Sequence, residues 1–252
     1  MSGERRVLVV GGGGGLGAEI VRATAAAGFS VEFTYRSSAD DARGLAADLA
    51  AAHPVRTFAP HALDLADRAA VDAFCAERET ADYYGYVHNA GQSADALAAM
   101  LDQDRAEAAM QVNFWSLTRI AKALVRGMSR ARAGRIVAIG SVAALRGNAG
   151  NAAYAATKGA LIAYCRTLAI ETARRGVTVN VLAPGFIDTP MMAPYAAQRS
   201  GIERQIPAGR FAAPGEVAAL AAFLLSEPAG YITGAVLPVD GGLTAMMGIH
   251  RG

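Results

Sequence analysis

We predict that the chain folds as one α/β domain around a doubly wound, mostly parallel sheet. Short apolar runs alternate along the 252 residues with amphipathic stretches of helical periodicity. The runs are apolar on both sides, which is typical of parallel strands that helices cover on both faces. A glycine-rich turn joins the first run to the first amphipathic stretch, as expected where a strand of such a sheet leads into a helix.

The same periodicities place the elements in order along the chain. Strands are predicted near 7–10, 30–35, 55–59, 84–88, 135–139, 177–182 and 235–239. Helices are predicted near 15–27, 39–51, 67–79, 104–131, 151–174 and 215–226. The sequence has no internal repeat and no long linker, so residues 1–252 are assigned to a single domain.

The segment 186–211 interrupts this alternation and is predicted to be a substrate lid. It contains three prolines and follows a predicted strand, and ligands bind beyond the carboxyl ends of the strands in such sheets. A mobile surface insertion is the alternative. The apolar side chains that could line a substrate groove, or simply pack in the lid and core, are Leu97, Met100, Leu101, Met191 and Met192.

The turn after the first strand consists of bare backbone. Val7–Val10 is followed by five consecutive glycines, and Gly11, Gly15 and Gly17 have the spacing G-x-x-x-G-x-G. The helix that begins there offers free N–H groups and the positive end of its dipole, which favour a phosphate. A flexible glycine linker is the alternative, but glycine is costly to order and both flanks are periodic.

A second signal is the pair Tyr154 and Lys158, with Ser141 thirteen residues before the tyrosine. Residues four apart share a helix face, and a nearby cation favours the phenolate form. We therefore expect Lys158 to lower the pKa of Tyr154, so that the phenol becomes a usable acid near neutral pH. The Tyr-x-x-x-Lys pattern alone is common in helices, so its weight depends on the glycine turn.

With further motifs, these residues make the chain resemble the short-chain dehydrogenases/reductases from about Val7 to Gly242. The motifs occur in that family's order: the glycine turn, Asn89-Ala90-Gly91, Asn113, Ser141, Tyr154 with Lys158, and Pro184-Gly185 with Thr189. The resemblance implies a Rossmann-like fold and an NAD(P)-dependent enzyme. Within the family, segments 147–150, 180–189 and 231–234 are similar to β-ketoacyl-carrier-protein reductases, and 81–88 resembles reductases of aryl polyene and related polyketide pathways.

The end of the second strand indicates which cofactor is preferred. An acidic residue there would favour NAD, but the sequence has Arg36 and Ser37, which suit the 2′-phosphate of NADP(H). Relatives that prefer NADP(H) often carry a second basic residue where this chain has Gly14, so the prediction depends mainly on Arg36, for which a solvated surface arginine is the alternative. The resemblance implies these cofactor-binding residues: Gly11, Gly15, Leu16, Gly17, Arg36, Ser37, Asp64, Leu65, Asn89, Ala90, Gly91, Tyr154, Lys158, Pro184, Gly185, Ile187 and Thr189.

The resemblance also implies a catalytic set of Asn113, Ser141, Tyr154 and Lys158. Tyr154 would give its proton to the developing alkoxide, Ser141 would hydrogen-bond the substrate oxygen, and Lys158 would hold the nicotinamide ribose. Asn113 would anchor a water that links Lys158 to solvent; a buried residue at a helix kink is the alternative. His88 stands where the family usually has asparagine, and no role is assigned to it.

Two arginines indicate a protein partner. Carrier-protein reductases use arginines at the positions of Arg132 and Arg175 to meet the acidic acyl carrier protein, and both are predicted to lie near the site entrance. The helix dipole alone also favours arginine at helix ends. The resemblance further implies a homo-oligomer, a tetramer that pairs the helices 104–131 and 151–174 and uses the C-terminal region in a second interface.

Composition argues against several other classes of protein. A net charge of +2 gives no footprint for nucleic acid, and the longest apolar run, 217–225, is too short to span a bilayer. Neither the four histidines, His250 among them, nor Cys75 and Cys165 have metal-ligand spacing, and the N-terminus lacks the pattern of a signal peptide. We therefore expect a cytoplasmic protein without a metal.

The sequence as a whole predicts NADPH-dependent reduction of a 3-oxoacyl thioester, bound to an acyl carrier protein, in fatty-acid or polyketide biosynthesis. The product would be the 3-hydroxyacyl thioester. The alternative within enzymes is a dehydrogenase or reductase of a free small alcohol, ketone or sugar. The alternative outside enzymes is a non-catalytic dinucleotide-binding protein, which would not need all four predicted catalytic residues.

Overall fold

The computed structural model describes residues 4–246, which form a sheet of seven parallel strands. The strands are β1 (Arg6–Val10), β2 (Ser30–Tyr35), β3 (Phe58–Ala62), β4 (Gly85–His88), β5 (Gly134–Ile139), β6 (Val177–Pro184) and β7 (Val236–Val239). Their order across the sheet is β3-β2-β1-β4-β5-β6-β7. The predicted doubly wound fold is therefore confirmed, and every strand pairing in the described residues is parallel.

Helices cover both faces of the sheet. They are α1 (Gly15–Ala26), α2 (Ala39–Ala52), α3 (Arg68–Arg78), α4 (Gln103–Met110), α5 (Ser116–Ala131), α6 (Ala152–Thr172), α7 (Arg199–Glu203) and α8 (Pro214–Leu225). The core on one face includes α1, α2 and α8, and the core on the other includes α3, α5 and α6. In β1, Val7 and Val9 belong to the first core, whereas Leu8 and Val10 belong to the second. Both sides of this strand are buried, which explains its lack of polar alternation.

The structure corrects three of the predicted elements. The strand expected at 55–59 is β3, which begins at Phe58, because a turn with a hydrogen bond from Arg56 N–H to the His53 carbonyl follows α2. The helix expected at 104–131 is divided into α4 and α5 by a π-helical turn, Gln111–Trp115. The lid segment 186–211 was expected as a loop but contains a 3₁₀ stretch, Pro190–Gln198, and the short helix α7.

The order of the strands reverses between β1 and β4, which are neighbours in the sheet although two strands separate them in sequence. Strands on either side of this point lead into helices on opposite faces, so a crevice opens at their carboxyl ends. The glycine turn follows β1, and Asn89-Ala90-Gly91 follows β4. The fold therefore brings two motifs that are far apart in sequence to the same crevice.

Candidate active site

A cavity of about 540 Å³ lies at the carboxyl ends of the strands. Most of the residues predicted to bind a cofactor line it: Gly11, Gly15, Leu16, Arg36, Ser37, Asp64, Leu65, Asn89, Ala90, Gly91, Tyr154, Lys158, Pro184, Gly185, Ile187 and Thr189. The predicted catalytic Ser141 lines it as well. Gly17 and Asn113 do not, and each has a different place in the structure.

Gly17 packs against the backbone of the turn rather than facing the cavity. A Cβ atom built on Gly17 would lie 1.9 Å from the carbonyl oxygen of Gly11. The same oxygen accepts a hydrogen bond of 2.8 Å from Nδ2 of Asn89, the first residue after β4. Glycine is required at position 17 because α1 and the β1 turn touch there, so its contribution to a cofactor site would be indirect.

The N-terminus of α1 has the properties of an anion site. Its N-cap, Gly14, provides no side-chain cap, and the first turn contains no acidic residue. A Cβ atom built on Gly14 would have no atom within 4 Å, so the space beside this end is open. The free N–H groups and the dipole of the helix therefore suit a pyrophosphate. This end of the cavity thus fits the predicted dinucleotide.

The opposite end of the cavity is formed by the residues that follow β2 and β3. Tyr35, Arg36 and Ser37 come from the end of β2, and Asp64 and Leu65 come after β3. The Arg36 side chain is exposed, and none of the cavity residues at the end of β2 is acidic. A guanidinium and hydroxyls in this position suit a phosphate ester better than a bare ribose.

Lys158 lies in α6, lines the cavity and is almost fully buried. Its Nζ donates a hydrogen bond of 2.8 Å to the Ile139 carbonyl at the end of β5. The same nitrogen lies 5.7 Å from the centre of the Tyr154 ring. Burial lowers the pKa of Lys158 from 10.5 to about 8. The helix thus carries phenol and ammonium on one face, as the spacing predicted.

The pKa of Tyr154 differs from the expectation. Burial, the largest influence, raises it; a hydrogen bond with Ser141 lowers it; and the Asp95 carboxylate raises it. The causes of the shift include Ser141 but not Lys158, whose Nζ donates to the Ile139 carbonyl. The pKa of Tyr154 is therefore raised overall rather than lowered, and a lowering by Lys158 stays a prediction.

Asn113 is fully buried within the π-helical turn and holds three segments together. Its Oδ1 accepts a hydrogen bond of 2.7 Å from the Gln92 N–H, and its Nδ2 donates to the Gln92 carbonyl at 2.9 Å. Nδ2 also donates to Oγ1 of Thr157, the neighbour of Lys158, at 2.9 Å. The side chain positions the β4 loop and α6, whereas the predicted water at Asn113 stays a prediction.

Several cavity residues were not predicted. Thr34 accepts a hydrogen bond of 2.9 Å from Gly11 N–H through its hydroxyl, and so fixes the start of the glycine turn. Gln92, Val112 and Ile139 also line the cavity. The sequence contained a signal for two of them, because Ile139 is the last residue of a predicted strand and Gln92 closely follows the end of another. Val112 lies in the π turn, which was not predicted.

His88 packs behind the site and is fully buried. Its Nδ1 is hydrogen-bonded to the Tyr86 hydroxyl at 2.8 Å. Burial lowers the pKa of His88 to about 3; the Lys158 ammonium lowers it further, and the Val112 backbone raises it. The imidazole is therefore neutral at ordinary pH, and the structure adds no catalytic role for it.

The apolar side chains expected to line a substrate groove are divided by the structure. Met191 and Met192 line the cavity beside Thr189 and Pro190. Leu97, Met100 and Leu101 do not line it, and Leu97 and Met100 are largely exposed. Of the five side chains, only the two in the lid contribute to the cavity wall.

The structure contradicts the expected location of Arg132 and Arg175. Arg132 precedes β5 and Arg175 precedes β6, so both lie at the amino ends of the strands, whereas the cavity lies at the carboxyl ends. β5 has six residues, which separates the two ends by about 17 Å. Arg132 adopts a left-handed conformation with φ 52° and donates a hydrogen bond of 3.2 Å to the Arg174 carbonyl. These arginines are not at the entrance of their own chain's cavity.

Two further observations concern metals and membranes. Residues 4–246 contain no cluster of three or more His, Cys, Asp or Glu side chains arranged to hold a metal ion, and His250 lies outside them. In the same part of the chain, none of the helices combines the length and the apolar character that crossing a bilayer requires.

The chain is similar to curated proteins over much of its length. A family profile described as Enoyl-(Acyl carrier protein) reductase matches residues 11–244. The 3-oxoacyl-[acyl-carrier-protein] reductase FabG of Salmonella typhimurium is 47% identical over 158 residues, which are 62% of this chain and only 65% of that relative. The 3-oxoacyl-[acyl-carrier-protein] reductase MabA of Mycobacterium bovis is 38% identical over 243 residues, which are 95% of this chain and 93% of the relative.

The fold is also found in solved structures. The crystal structure of YwfH, described as an NADPH dependent reductase involved in bacilysin biosynthesis, has a TM-score of 0.90 to this chain at 26% identity. The likeness covers 98% of this chain and 100% of that one. Together, the profile match, the similarity to MabA and the geometry around Tyr154 show that the chain belongs to the short-chain dehydrogenase/reductase family.

Proposed function

We propose that this chain reduces a 3-oxoacyl thioester to the 3-hydroxyacyl thioester with NADPH, on a substrate bound to an acyl carrier protein. The observation that carries the proposal is that Tyr154, Ser141 and Lys158 line the same cavity, with the Lys158 ammonium 5.7 Å from the centre of the Tyr154 ring. The names of FabG and MabA support the substrate class. The name of YwfH supports NADPH.

The cavity residues fit NADP(H) at both ends. The uncapped N-terminus of α1 would hold the pyrophosphate, and Arg36 with Ser37 would hold the 2′-phosphate. Lys158 and Tyr154 would hold the nicotinamide ribose, with Ile187 and Thr189 at the carboxamide. When bound, the nicotinamide supplies the hydride for the reduction.

The protein's own groups would act on the carbonyl oxygen of the substrate. Burial raises the pKa of Tyr154, so the phenol keeps its proton at neutral pH and can donate it when negative charge develops on that oxygen. Ser141 would donate a second hydrogen bond to the same oxygen, which stabilises the developing charge. Lys158 would provide a fixed positive charge beneath the site, and Asn113 would position Lys158 through Thr157.

The description of the family profile names an enoyl substrate, whereas FabG and MabA are named for 3-oxoacyl substrates. We favour the 3-oxoacyl thioester because FabG and MabA are both named for that substrate class and MabA is similar over nearly the whole chain. Two donors could stabilise the alkoxide formed from a 3-oxoacyl thioester, but equally the enolate oxygen that hydride addition to an enoyl thioester forms. Reduction of an enoyl thioester is therefore an outcome that the test must distinguish.

Docking of the carrier protein at Arg132 and Arg175 stays part of the proposal, with a changed geometry. Both arginines lie at the amino ends of the strands, and the cavity lies at the carboxyl ends. They could therefore guide a carrier protein only toward the cavity of a neighbouring copy. The predicted homotetramer, which pairs α4, α5 and α6 between copies, would supply that neighbour. Tetramer and cytoplasmic location both stay predictions.

The test is the loss of NADPH absorbance in the presence of the purified chain. Four substrates are compared: a 3-oxoacyl carrier protein, a small 3-oxoacyl thioester, a 2-enoyl thioester and a set of free ketones and sugars. The proposal expects turnover of both 3-oxoacyl thioesters and loss of that turnover in Tyr154→Phe. Turnover of free ketones alone would favour the alternative enzyme class, and NADPH binding without turnover would favour a non-catalytic protein.

A further inference from the structure

We propose that Asp95 holds the lid, residues 186–211, against the body of the protein through the Tyr195 hydroxyl and thereby sets the affinity for the acyl substrate. The inference deepens the proposed function and rests on it, because it assumes that the lid covers the substrate side of the cavity. Asp95 is a positioning residue in this account. It acts through Tyr195 and touches none of the reacting atoms.

Asp95 lies in the loop after β4 and accepts hydrogen bonds from three directions. The Tyr195 hydroxyl donates to its Oδ2 at 2.6 Å, and Nδ2 of Asn151 donates to its Oδ1 at 2.7 Å. The Ser93 hydroxyl also donates to Oδ1. These donors belong to the lid, to the start of α6 and to the β4 loop itself, so one carboxylate joins three segments.

The contact between the loop and α6 is supported by backbone as well. Ala96 and Asn151 form an isolated parallel bridge, and Ala96 N–H donates to the Gly150 carbonyl at 2.8 Å. Asn151 is the N-cap of α6, the helix that carries Tyr154. Asp95 is therefore fixed relative to the proposed acid, and its carboxylate contributes to raising the pKa of Tyr154.

The lid has few other attachments in its central part. Among the described residues, the bond from Tyr195 to Asp95 is the one hydrogen bond by which residues 189–205 reach outside the lid. No residue of Pro190–Gln198 is buried. The ion pairs of Arg199 with Asp188 and Glu203 lie within the lid, so they shape it without attaching it.

The position of Tyr195 fixes the part of the lid that borders the cavity. Met191 and Met192 line the cavity and lie four and three residues before Tyr195, respectively, in the same 3₁₀ stretch. If the Tyr195 hydroxyl is lost, this stretch should leave the closed position for a larger fraction of the time. Only the closed fraction offers the full apolar wall to an acyl chain, so the apparent affinity should fall in proportion.

The size of the effect follows from the exposure of the pair. A hydrogen bond to a carboxylate is stronger than one between neutral groups, but water competes for both partners here because Tyr195 is 37% exposed and Asp95 is exposed too. We expect Tyr195→Phe to raise the KM for the acyl substrate about three- to tenfold. The value of kcat and the dissociation constant of NADPH should change little.

A double-mutant cycle tests whether Asp95 and Tyr195 act as a unit. Tyr195→Phe, Asp95→Ala and the double variant are compared with the wild type, and Tyr231→Phe, in which the altered ring is fully exposed, is the matched control. Tyr195→Phe should raise KM in the wild-type background and have no further effect in the Asp95→Ala background. An unchanged KM in Tyr195→Phe, or the same increase in both backgrounds, would overturn the proposal.

A second measurement does not depend on the substrate. Trypsin cleavage after Arg199, four residues beyond Tyr195, reports opening of the lid and is followed by mass spectrometry of intact variants. Tyr195→Phe should be cleaved there about three- to tenfold faster than the wild type, and Tyr231→Phe at the wild-type rate. If the wild type reduces no 3-oxoacyl thioester but this difference in cleavage is seen, the proposed function fails and the attachment of the lid stands. Equal cleavage of all variants would overturn the attachment itself.

Discussion

Two parts of the cavity wall are built by different physical means: the glycine turn, here called the cofactor end, and the stretch Pro190–Gln198 of the lid, here called the proposed substrate end. At the cofactor end, the backbone of the glycine turn is in contact with α1 and Asn89, and the 1.9 Å from a Cβ on Gly17 to the Gly11 oxygen leaves no room for a side chain. At the proposed substrate end, Pro190–Gln198 has no buried residue and is attached by the exposed contact of Tyr195 with Asp95.

This difference has a consequence for each end. Steric contact among backbone atoms fixes the cofactor end, because almost no substitution satisfies the same packing. One exposed hydrogen bond, from Tyr195 to Asp95, holds the proposed substrate end, and such a contact tolerates opening and sequence change. Cofactor binding and substrate binding should therefore respond to different substitutions, and the following predictions are ordered from the largest expected effect to the smallest.

Tyr154 lies between the two ends, and its replacement should separate chemistry from binding. Tyr154→Phe removes the transferable proton and leaves the ring in place, so the rate of reduction should fall about 100- to 10,000-fold. The dissociation constant of NADPH, measured by fluorescence titration, should stay close to that of the wild type. A variant that keeps roughly a tenth or more of the wild-type rate would show that Tyr154 is not the acid.

Two glycines of the same turn offer a matched test of the steric account. Gly17→Ala should lower the free energy of unfolding by about 3 kcal/mol or prevent folding, because the new methyl group meets the Gly11 carbonyl. Gly14→Ala should change it by no more than about 0.5 kcal/mol, since Gly14 has φ −177° and open space beside it. Urea denaturation of both variants measures the difference. Equal stability of the two would contradict the interlocked turn.

Arg36 should decide the cofactor preference without affecting the proposed substrate end. Arg36→Asp removes the charge expected to meet the 2′-phosphate, so the ratio of NADPH to NADH affinity should fall about ten- to a hundredfold. The KM for the 3-oxoacyl thioester should not change. Relative affinities for the two cofactors that stay as in the wild type would refute the assignment of Arg36.

Lys158 should give cofactor binding a dependence on pH. Its pKa of about 8 means that the ammonium is charged below that pH and loses its proton above it. The affinity for NADPH should therefore be constant below pH 8 and fall above it, by up to about tenfold per pH unit. The 2′-phosphate does not contribute there, because its second pKa is about 6.

Lys158→Met is the control for this pH dependence. The variant should bind NADPH more weakly than the wild type at pH 7, with an affinity that no longer changes above pH 8. If the wild-type affinity stays constant well above pH 8, Lys158 is not the group that titrates.

How well a feature could be predicted from the sequence depends on how far apart along the chain the interacting residues are. The glycine turn and the helical spacing of Tyr154 and Lys158 are local patterns with a direct physical meaning, and the structure brings them together at the cavity. The π turn was not predictable, because Gln111–Trp115 continues the helical periodicity on both sides. The contact between Asp95 and Tyr195 joins residues 100 positions apart, and neither residue belongs to a periodic pattern.

The expected location of Arg132 and Arg175 at the cavity entrance was wrong for a different reason. Both residues directly precede predicted strands, and that placement already sets them at the amino ends of a parallel sheet. The resemblance suggested a role in docking, but the distance to the cavity depends on the direction of the strands. Ligands bind at the carboxyl ends of parallel strands, whereas residues that precede a strand lie at its amino end. Within one chain, this rule and not the resemblance determines where the two arginines lie relative to the cavity.

The central claim, that Tyr154 and Ser141 act on the carbonyl oxygen of a 3-oxoacyl thioester, is tested most directly by one comparison of rates. The measurement is kcat/KM for NADPH oxidation with a 3-oxoacyl carrier protein and with free ketones and sugars, for the wild type and for Tyr154→Phe. We predict that the wild type prefers the 3-oxoacyl carrier protein and that Tyr154→Phe loses this activity. A wild-type enzyme that reduces free ketones or sugars with equal or higher kcat/KM would contradict the account.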